Sequence, residues 1–287
     1  MRHFCAAVTI FVAVVLTTTF PARAAEATFE RDLTVTGRVD LSVHTGSGSI
    51  HLTSGPEGRV HVFARVKSGW GGSDEMVQEI AAHPPIQQTG NIVRIGAGHQ
   101  NLGNISIDYE IQAPPDAYLD AASGSGNVTD EGVGANAKLS TGSGSIHATG
   151  LQGGFTVQTG SGNIDAAQTS PGDVKASTGS GSIELENLHG ELHAGTGSGN
   201  IKVDGTPAAS WRINTGSGSV ELWTGNAALT LDAGTGSGNI HCDRAIVSQG
   251  TMDHHHLKGA IGGGGPTVHI GTGSGNIRIH EARYGMK

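Results

Sequence analysis

The densest run of ligand-type side chains in this sequence is Asp253-His254-His255-His256. Imidazole and carboxylate together are the donor set of zinc-type sites. Successive side chains of an extended strand point to opposite faces. All three imidazoles therefore cannot reach one ion, whereas His254 and His256 share a face and, with Asp253, form the binding candidate of the chain. A polar surface loop is the competing reading, and no metal or other cofactor is expected.

Carboxylates form a second group. Asp165, Glu184, Glu186, Asp204, Glu221 and Asp243 recur at near-regular intervals. Cleavage of a polysaccharide needs two such groups held across a scissile bond. Here they are interspersed with His147, Lys202 and Arg278, the pattern of a solvated face. The serines of the recurring Gly-Ser-Gly offer no nucleophile elbow, which has the spacing Gly-x-Ser-x-Gly, and nine equivalent serines cannot each have a placed base. Calcium-binding rolls carry Asp where the phrase Thr196-Gly197-Ser198-Gly199-Asn200-Ile201 carries Ile, and calcium prefers several oxygen ligands including carboxylates. No Gly-x-x-x-x-Gly-Lys phosphate loop occurs. No catalytic residue is expected.

The elements that hold these side chains are set by a repeat. The phrase Thr45-Gly46-Ser47-Gly48-Ser49-Ile50 returns with variations, ending at Val128, Ile146, Ile164, Ile183, Ile201, Val220, Ile240 and Ile277. From Val128 to Ile240 the steps are 18 to 20 residues, and the last step is 37, which reads as two periods. A short fixed period marks a solenoid. Aligned on the final Ile or Val, the columns nine and seven residues earlier are apolar throughout, for example Phe155 and Val157. The column between them is polar, for example Thr156. After the phrase a polar column (His147, Asp165, Glu184) precedes an apolar one (Ala148, Ala166, Leu185), broken only at Asp130. This period of two describes strands with one buried face.

Each coil thus has two short strands joined at Gly-Ser-Gly. The phrase Thr and Ile should both face inward although they are an odd number of residues apart, so the glycines must change the chain's direction. Stacked coils would align Thr141, Thr159, Thr178 and Thr196; Ser143, Ser161, Ser180 and Ser198; and Ile146, Ile164, Ile183 and Ile201 as structural ladders. The residue before the Ile alternates between Ser and Asn, which leaves open whether one turn holds one phrase of about 18 residues or two.

Outside the array, Phe4–Leu16 is an apolar run of 13 residues after Arg2 and His3, followed by Ala22-Arg23-Ala24. That is the form of a secretory signal covering residues 1–24. No later segment is long and apolar enough to span a membrane as a helix. Without Arg2 and Arg23 the mature chain has 15 basic against 25 acidic residues. It lacks the basic footprint of a nucleic-acid binder. Cys242 would stand alone after loss of Cys5, so no intrachain disulfide is possible. Residues 25–66 read as N-terminal strands and a first coil. Residues 67–115 read as a cap insertion, with a short helix from Ser73 and strands at Ile92–Ile95 and Ile105–Ile111. Residues 116–287 read as the array, with a coil centred on Leu257 carrying the histidine run.

These features, the Gly-Ser-Gly-(Ser/Asn)-Ile units together with the Ile107-Asp108-Tyr109-Glu110-Ile111 lead to Pro114, resemble the putative-adhesin family of bacterial envelope proteins over residues 30–280. The resemblance implies a single-stranded, right-handed parallel β-helix and an extracytoplasmic home, in the periplasm, at the outer surface or outside the cell. It supplies no catalytic residues. The expected molecule is an all-β solenoid of about ten 18–20-residue coils with a small α+β N-terminal cap. It would act as a non-catalytic adhesin or scaffold toward envelope glycans or another envelope protein. A carbohydrate-binding module or a polysaccharide-cleaving β-helix are the alternatives.

Overall fold

The computed structural model describes residues 25–69, 72–96, 104–248 and 254–281. The expected signal segment and Asp253 lie outside the described residues. The N-terminal part runs β1 (Glu26–Thr34), β2 (Asp40–Thr45), β3 (Ile50–Ser54), β4 (Arg59–Ser68), α1 (Asp74–Ala82), β5 (Ile86–Thr89), β6 (Ile92–Ile95) and β7 (Ile105–Ala113). Helix α1 starts where Ser73 accepts a hydrogen bond from the Met76 amide, with Asp74 and Glu75 in its first turn. Such a cap and acidic first turn favour a helix N-terminus. Val77 and Ile80 are its buried residues.

The array follows as strand pairs, one pair per phrase: β8 (Tyr118–Ser123) and β9 (Val128–Glu131), β10 (Asn136–Thr141) and β11 (Ile146–Gln152), β12 (Phe155–Ser161) and β13 (Ile164–Ser170). Then come β14 (Val174–Ser180) and β15 (Ile183–Leu188), β16 (Leu192–Ser198) and β17 (Ile201–Gly205), β18 (Trp211–Ser217) and β19 (Val220–Trp223), β20 (Leu229–Ser237) and β21 (Ile240–Cys242). The last stretch is β22 (Ile246–Ser248), β23 (His256–Ile261), β24 (Thr267–Ser274) and β25 (Ile277–His280).

The molecule is a β-solenoid. Within each coil the strand before the phrase belongs to one sheet and the strand after it to the other. We term the first sheet B and the second sheet A. Ile146 faces Ile164 and Phe155 faces Val174 on adjacent parallel strands, so one turn holds one phrase. Counting β2 with β3 and β24 with β25, the described residues hold nine phrase-bearing coils, and β6 and β7 add a tenth parallel rung beside β2 and β3, in line with the expected ten or so. The inward columns are buried as the alternation requires, with Leu139, Val157, Ile164 and Leu222 at 1% exposure or less. Burying one such side chain fully contributes roughly 1.5–3 kcal/mol. The core is narrow, and the small side chains of Ala148, Ala166 and Ala176 are fully buried in it.

The phrase glycines are required by the closeness of successive coils. A Cβ on Gly142 would collide with the Gly124 carbonyl, and one on Gly144 with the Gly126 carbonyl. The change of direction lies at this corner, which moves the chain from sheet B to sheet A. Thr141 and Ile146 therefore both point inward, at 6% and 1% exposure.

Antiparallel strands cover both sheets at the N-terminal end and sheet B at the C-terminal end, where sheet A ends at β21. At the N-terminal end β7 lies parallel to β3, and β4 and β1 continue sheet A antiparallel. On sheet B, β6 lies against β2 and β5 follows it antiparallel. Such covers keep a parallel stack from offering its full edge to another chain.

The C-terminal end departs from the expected order. No coil is centred on Leu257. Instead β23 runs antiparallel to β20, with β22 antiparallel to β23. The chain then turns back at Gly262, Gly263 and Gly264, whose φ values of 62°, 92° and 89° suit glycine alone among common residues. The final pair returns into the stack: β24 lies between β18 and β20, and β25 between β19 and β21. The 37-residue step from Ile240 to Ile277 is therefore an excursion and an inward return, not two periods. Any coil carries the same columns, so the last one fits an interior position as well as an end.

Candidate functional site

The phrase side chains divide into bonded and exposed ladders. The Thr141 hydroxyl donates to Gly126 O at 2.7 Å, Thr178 to Gly162 O at 3.0 Å and Thr196 to Gly181 O at 2.9 Å. At the inserted coil the same bonds follow spatial order: Thr272 donates to Gly218 O and Thr235 to Gly275 O, both at 2.9 Å. The Ser/Asn alternation is a second ladder. The Ser145 amide donates to Asn127 Oδ1 at 2.9 Å, the Asn163 amide to Ser145 Oγ at 3.2 Å, and the Ser182 amide to Asn163 Oδ1 at 2.9 Å. Ser143, Ser161, Ser180 and Ser198 stand exposed on the rim. Ser161, Ser180 and Ser198 follow one another in register.

The histidine run is split by the fold. His254 and His255 are exposed ahead of β23, and His256 opens that strand. His256 Nε2 lies 3.1 Å from Asp232 Oδ1 on β20. His269 on β24 reaches the other oxygen of Asp232 at 3.6 Å, and Lys258 at 4.0 Å. His256 thus meets a carboxylate 24 residues earlier, a pairing that depends on the antiparallel return and leaves no mark in the local sequence. A matching arrangement lies on sheet A. Asp243 Oδ1 is 2.9 Å from His241 Nε2, and its Oδ2 is 2.8 Å from His280 Nδ1. The bond from His280, then the charge of His280 and His241, hold the Asp243 carboxyl below the usual range, against a desolvation effect that raises it. His280 also stacks on Trp223, with ring centroids 5.1 Å apart. Among the described residues, no three His, Cys, Asp or Glu side chains are disposed to hold one metal ion.

The outward carboxylates lie in surface pairs. Asp165 Oδ2 is 3.1 Å from His147, and Glu221 is 3.6 Å from Arg278. A general acid of glycan cleavage needs a carboxyl with a raised pKa beside its substrate. Among the described residues the carboxyl so shifted is Asp130. Burial pushes it up to about 8, against the hydrogen bond from the Val133 amide. Asp130 is 0% exposed and faces the core between Leu52 and Ala148. Its Oδ1 accepts from Val133 N at 3.0 Å, and its Oδ2 has no partner. The break in the apolar column marked this residue in the sequence. Its depth and unpaired oxygen needed the structure, and it reaches no substrate.

The open concavities lie at coil corners. One is lined by Asn136, Gly154, Pro171 and Asp173, another by Thr36, Arg38, Glu57 and Asp116. Arg38 in the second also packs over the Tyr118 ring at 5.0 Å and pairs with Asp116 at 3.5 Å.

The family model described as Toastrack DUF4097 matches residues 91–280. No curated protein matches the chain. Among solved structures, the chain is similar to one described as a "putative adhesin" from Bacteroides fragilis NCTC 9343, at 13% identity and a TM-score of 0.34, covering 88% of this chain and 97% of that one. It is also similar to a "putative cell adhesion protein" from Clostridium sporogenes ATCC 15579, at 13% identity and a TM-score of 0.23, covering 88% and 99%. A "putative lipid binding protein" from Parabacteroides distasonis ATCC 8503 matches at 13% identity and a TM-score of 0.30, covering 89% and 97%.

Proposed function

We propose, from the premise that this chain belongs to the Toastrack DUF4097 family, that it is an exported, non-catalytic interaction scaffold of the cell envelope. The observation that carries the reading is the regularity of the two outer faces. Every coil adds the same backbone rung, and the polar side chains of successive coils line up in register across both sheets. Such a surface offers repeated, shallow contacts to an extended partner and encloses no reaction volume. Two features speak against catalysis. The exposed carboxylates Asp165 and Glu221 of sheet A are engaged in surface pairs, and among the described residues the carboxyl with a strongly raised pKa, Asp130, is sealed in the core. Export rests on the signal-type N-terminal sequence. No helix among the described residues is long and apolar enough to cross a membrane.

A glycan array run beside a reducing-sugar release assay tests the function. Binding without release is the expected result. Release that disappears on a single carboxylate change, such as Glu184→Gln, would replace the scaffold with an enzyme. Mass spectrometry of the protein from fractionated cells tests export: an N-terminus at Ala25 in the envelope fraction is expected, and a retained Met1 in the cytoplasm overturns it.

A further inference from the structure

We infer that an outward column of sheet B, Lys138–Thr156–Lys175–His193–Arg212–His269, is a docking line for a linear acidic polysaccharide, one carrying carboxylates on successive sugars. The inference rests on the scaffold reading and names its partner class. The six side chains occupy consecutive rungs in strict register: Lys138 faces Thr156, Thr156 faces Lys175, Lys175 faces His193, His193 faces Arg212, and Arg212 faces His269. All but half-buried Thr156 are exposed. At the rung spacing of about 4.8 Å the line is roughly 24 Å long.

In a chain with 25 acidic against 17 basic residues, this column holds no carboxylate over six coils. The inserted coil makes it so. In sequence order Asp232 would follow Arg212; the return of β24 puts His269 there and moves Asp232 one rung outward. The corresponding column of sheet A is broken by Asp165, Glu184 and Glu221.

The basic side chains of the column are available. Lys138 pairs with Asp120 at 3.2 Å, His193 with Glu191 at 2.9 Å and His269 with Asp232 at 3.6 Å, all near the surface. Exposed pairs of this kind hold weakly and exchange for a ligand's anions. Lys175 and Arg212 form no ion pair among the described residues. On one side the column is flanked by short residues such as Ser177, Gly195 and Gly271, so a polymer can lie close to the sheet. On the other side stand Asp173 and Glu191, which limit the line to a ligand whose charges sit over the column.

The chemistry favours a glycan over other polyanions. A nucleic-acid groove adds stacking aromatics to its cations, and this column has no Trp, Tyr or Phe. A membrane surface would call for outward apolar residues among the cations, and none interrupts the line. Sugar hydroxyls instead find Ser140, Gln158 and Asn214 in the neighbouring column.

The test is binding of the purified protein to polygalacturonate at low salt without divalent cations. Neutral dextran and a single-stranded oligonucleotide serve as comparison probes. Polygalacturonate should bind, and the double variant Lys175→Glu/Arg212→Glu should weaken it at least about tenfold. Lys202→Glu on sheet A should leave binding unchanged, and all variants should keep the parent β-sheet circular dichroism. Arg212→Lys should retain most binding, which separates charge from folding damage. Absence of polygalacturonate binding, equal loss in Lys202→Glu, or equally tight oligonucleotide binding through the same residues would overturn the inference. Binding of dextran that the double variant leaves intact would overturn it while sparing the scaffold. Release of reducing sugars would instead sink the scaffold reading and leave the column standing.

Discussion

The Thr159 hydroxyl, 6% exposed, donates to the Gly144 carbonyl one coil away at 2.8 Å. Gly144 is itself fixed by the lack of room for a Cβ against Gly126. The threonine is therefore the side chain that satisfies a carbonyl at a corner where the backbone is most crowded. Thr159→Val keeps the shape, removes the donor and leaves that carbonyl buried without it. The expected cost is about 1–3 kcal/mol in urea unfolding. Ser161→Ala, on the exposed rim two residues on, should fall within about 0.5 kcal/mol of the parent. Equal effects of the two would deny the threonine ladder its structural role.

Asp130 sets a pH dependence of the opposite sense to most carboxylates. Its folded pKa of about 8 lies above the ordinary value of 3.8. Well below pH 3.8 the group is protonated in both states and is neutral toward folding. As pH rises toward 8 the unfolded chain ionises and the folded chain resists, so this residue progressively lowers stability. Asp130→Asn keeps an acceptor for the Val133 amide and cannot ionise. It should match the parent near about pH 3 and exceed it by up to several kcal/mol near pH 8. Melting temperatures that run parallel for the two proteins from pH 4 to 9 would contradict the buried, neutral acid.

The order of the last coils can be read by cross-linking. Ser217 and Ser274 are partners on adjacent parallel strands, whereas Ser217 and Ser237 have the inserted coil between them. A disulfide needs Cα atoms about 4.4–6.8 Å apart, which one rung provides and two do not. In a Cys242→Ser background, Ser217→Cys with Ser274→Cys should close on oxidation, and Ser217→Cys with Ser237→Cys should not. The reverse result would restore a sequential stack.

Asp243 ties the three-residue strand β21 to β25 through His280. Its depressed pKa gives a contribution that is present above the ordinary carboxylate range and is lost as pH falls through the folded value. Acidification should therefore loosen β21 and expose half-buried Cys242, read as faster labelling by an acid-tolerant pyridyl disulfide. His280→Ala should shift that onset to higher pH and alter the emission of Trp223. An unshifted onset would separate Asp243 from the docking of β21.

The parts legible in the sequence were those set by local periodicity. The alternation around Phe155, Thr156 and Val157 fixed which side chains are buried, and the phrase spacing located the corners. The helix from Ser73 followed from its cap and acidic first turn. Register between distant segments was not legible. Nothing near His256 announces Asp232, and nothing near His269 announces Arg212, because equivalent coils carry the same columns and any of them fits the same position. The interval from Ile240 to Ile277 was a misleading coincidence: an antiparallel excursion happens to have the length of two coils. Asp130 showed as an irregularity, but the loss of its second hydrogen-bond partner depends on packing around a turn.

A chain that stops at Gly262 is deprived of an interior layer while its outermost layers are already made. Two coils that are separated in the finished molecule would then meet face to face, with Arg212 against Asp232 in the same column. Closing that gap would shut out the final segment, because β18 and β20 both take β24 as their partner in the finished stack. The assembly is a clasp rather than a pile.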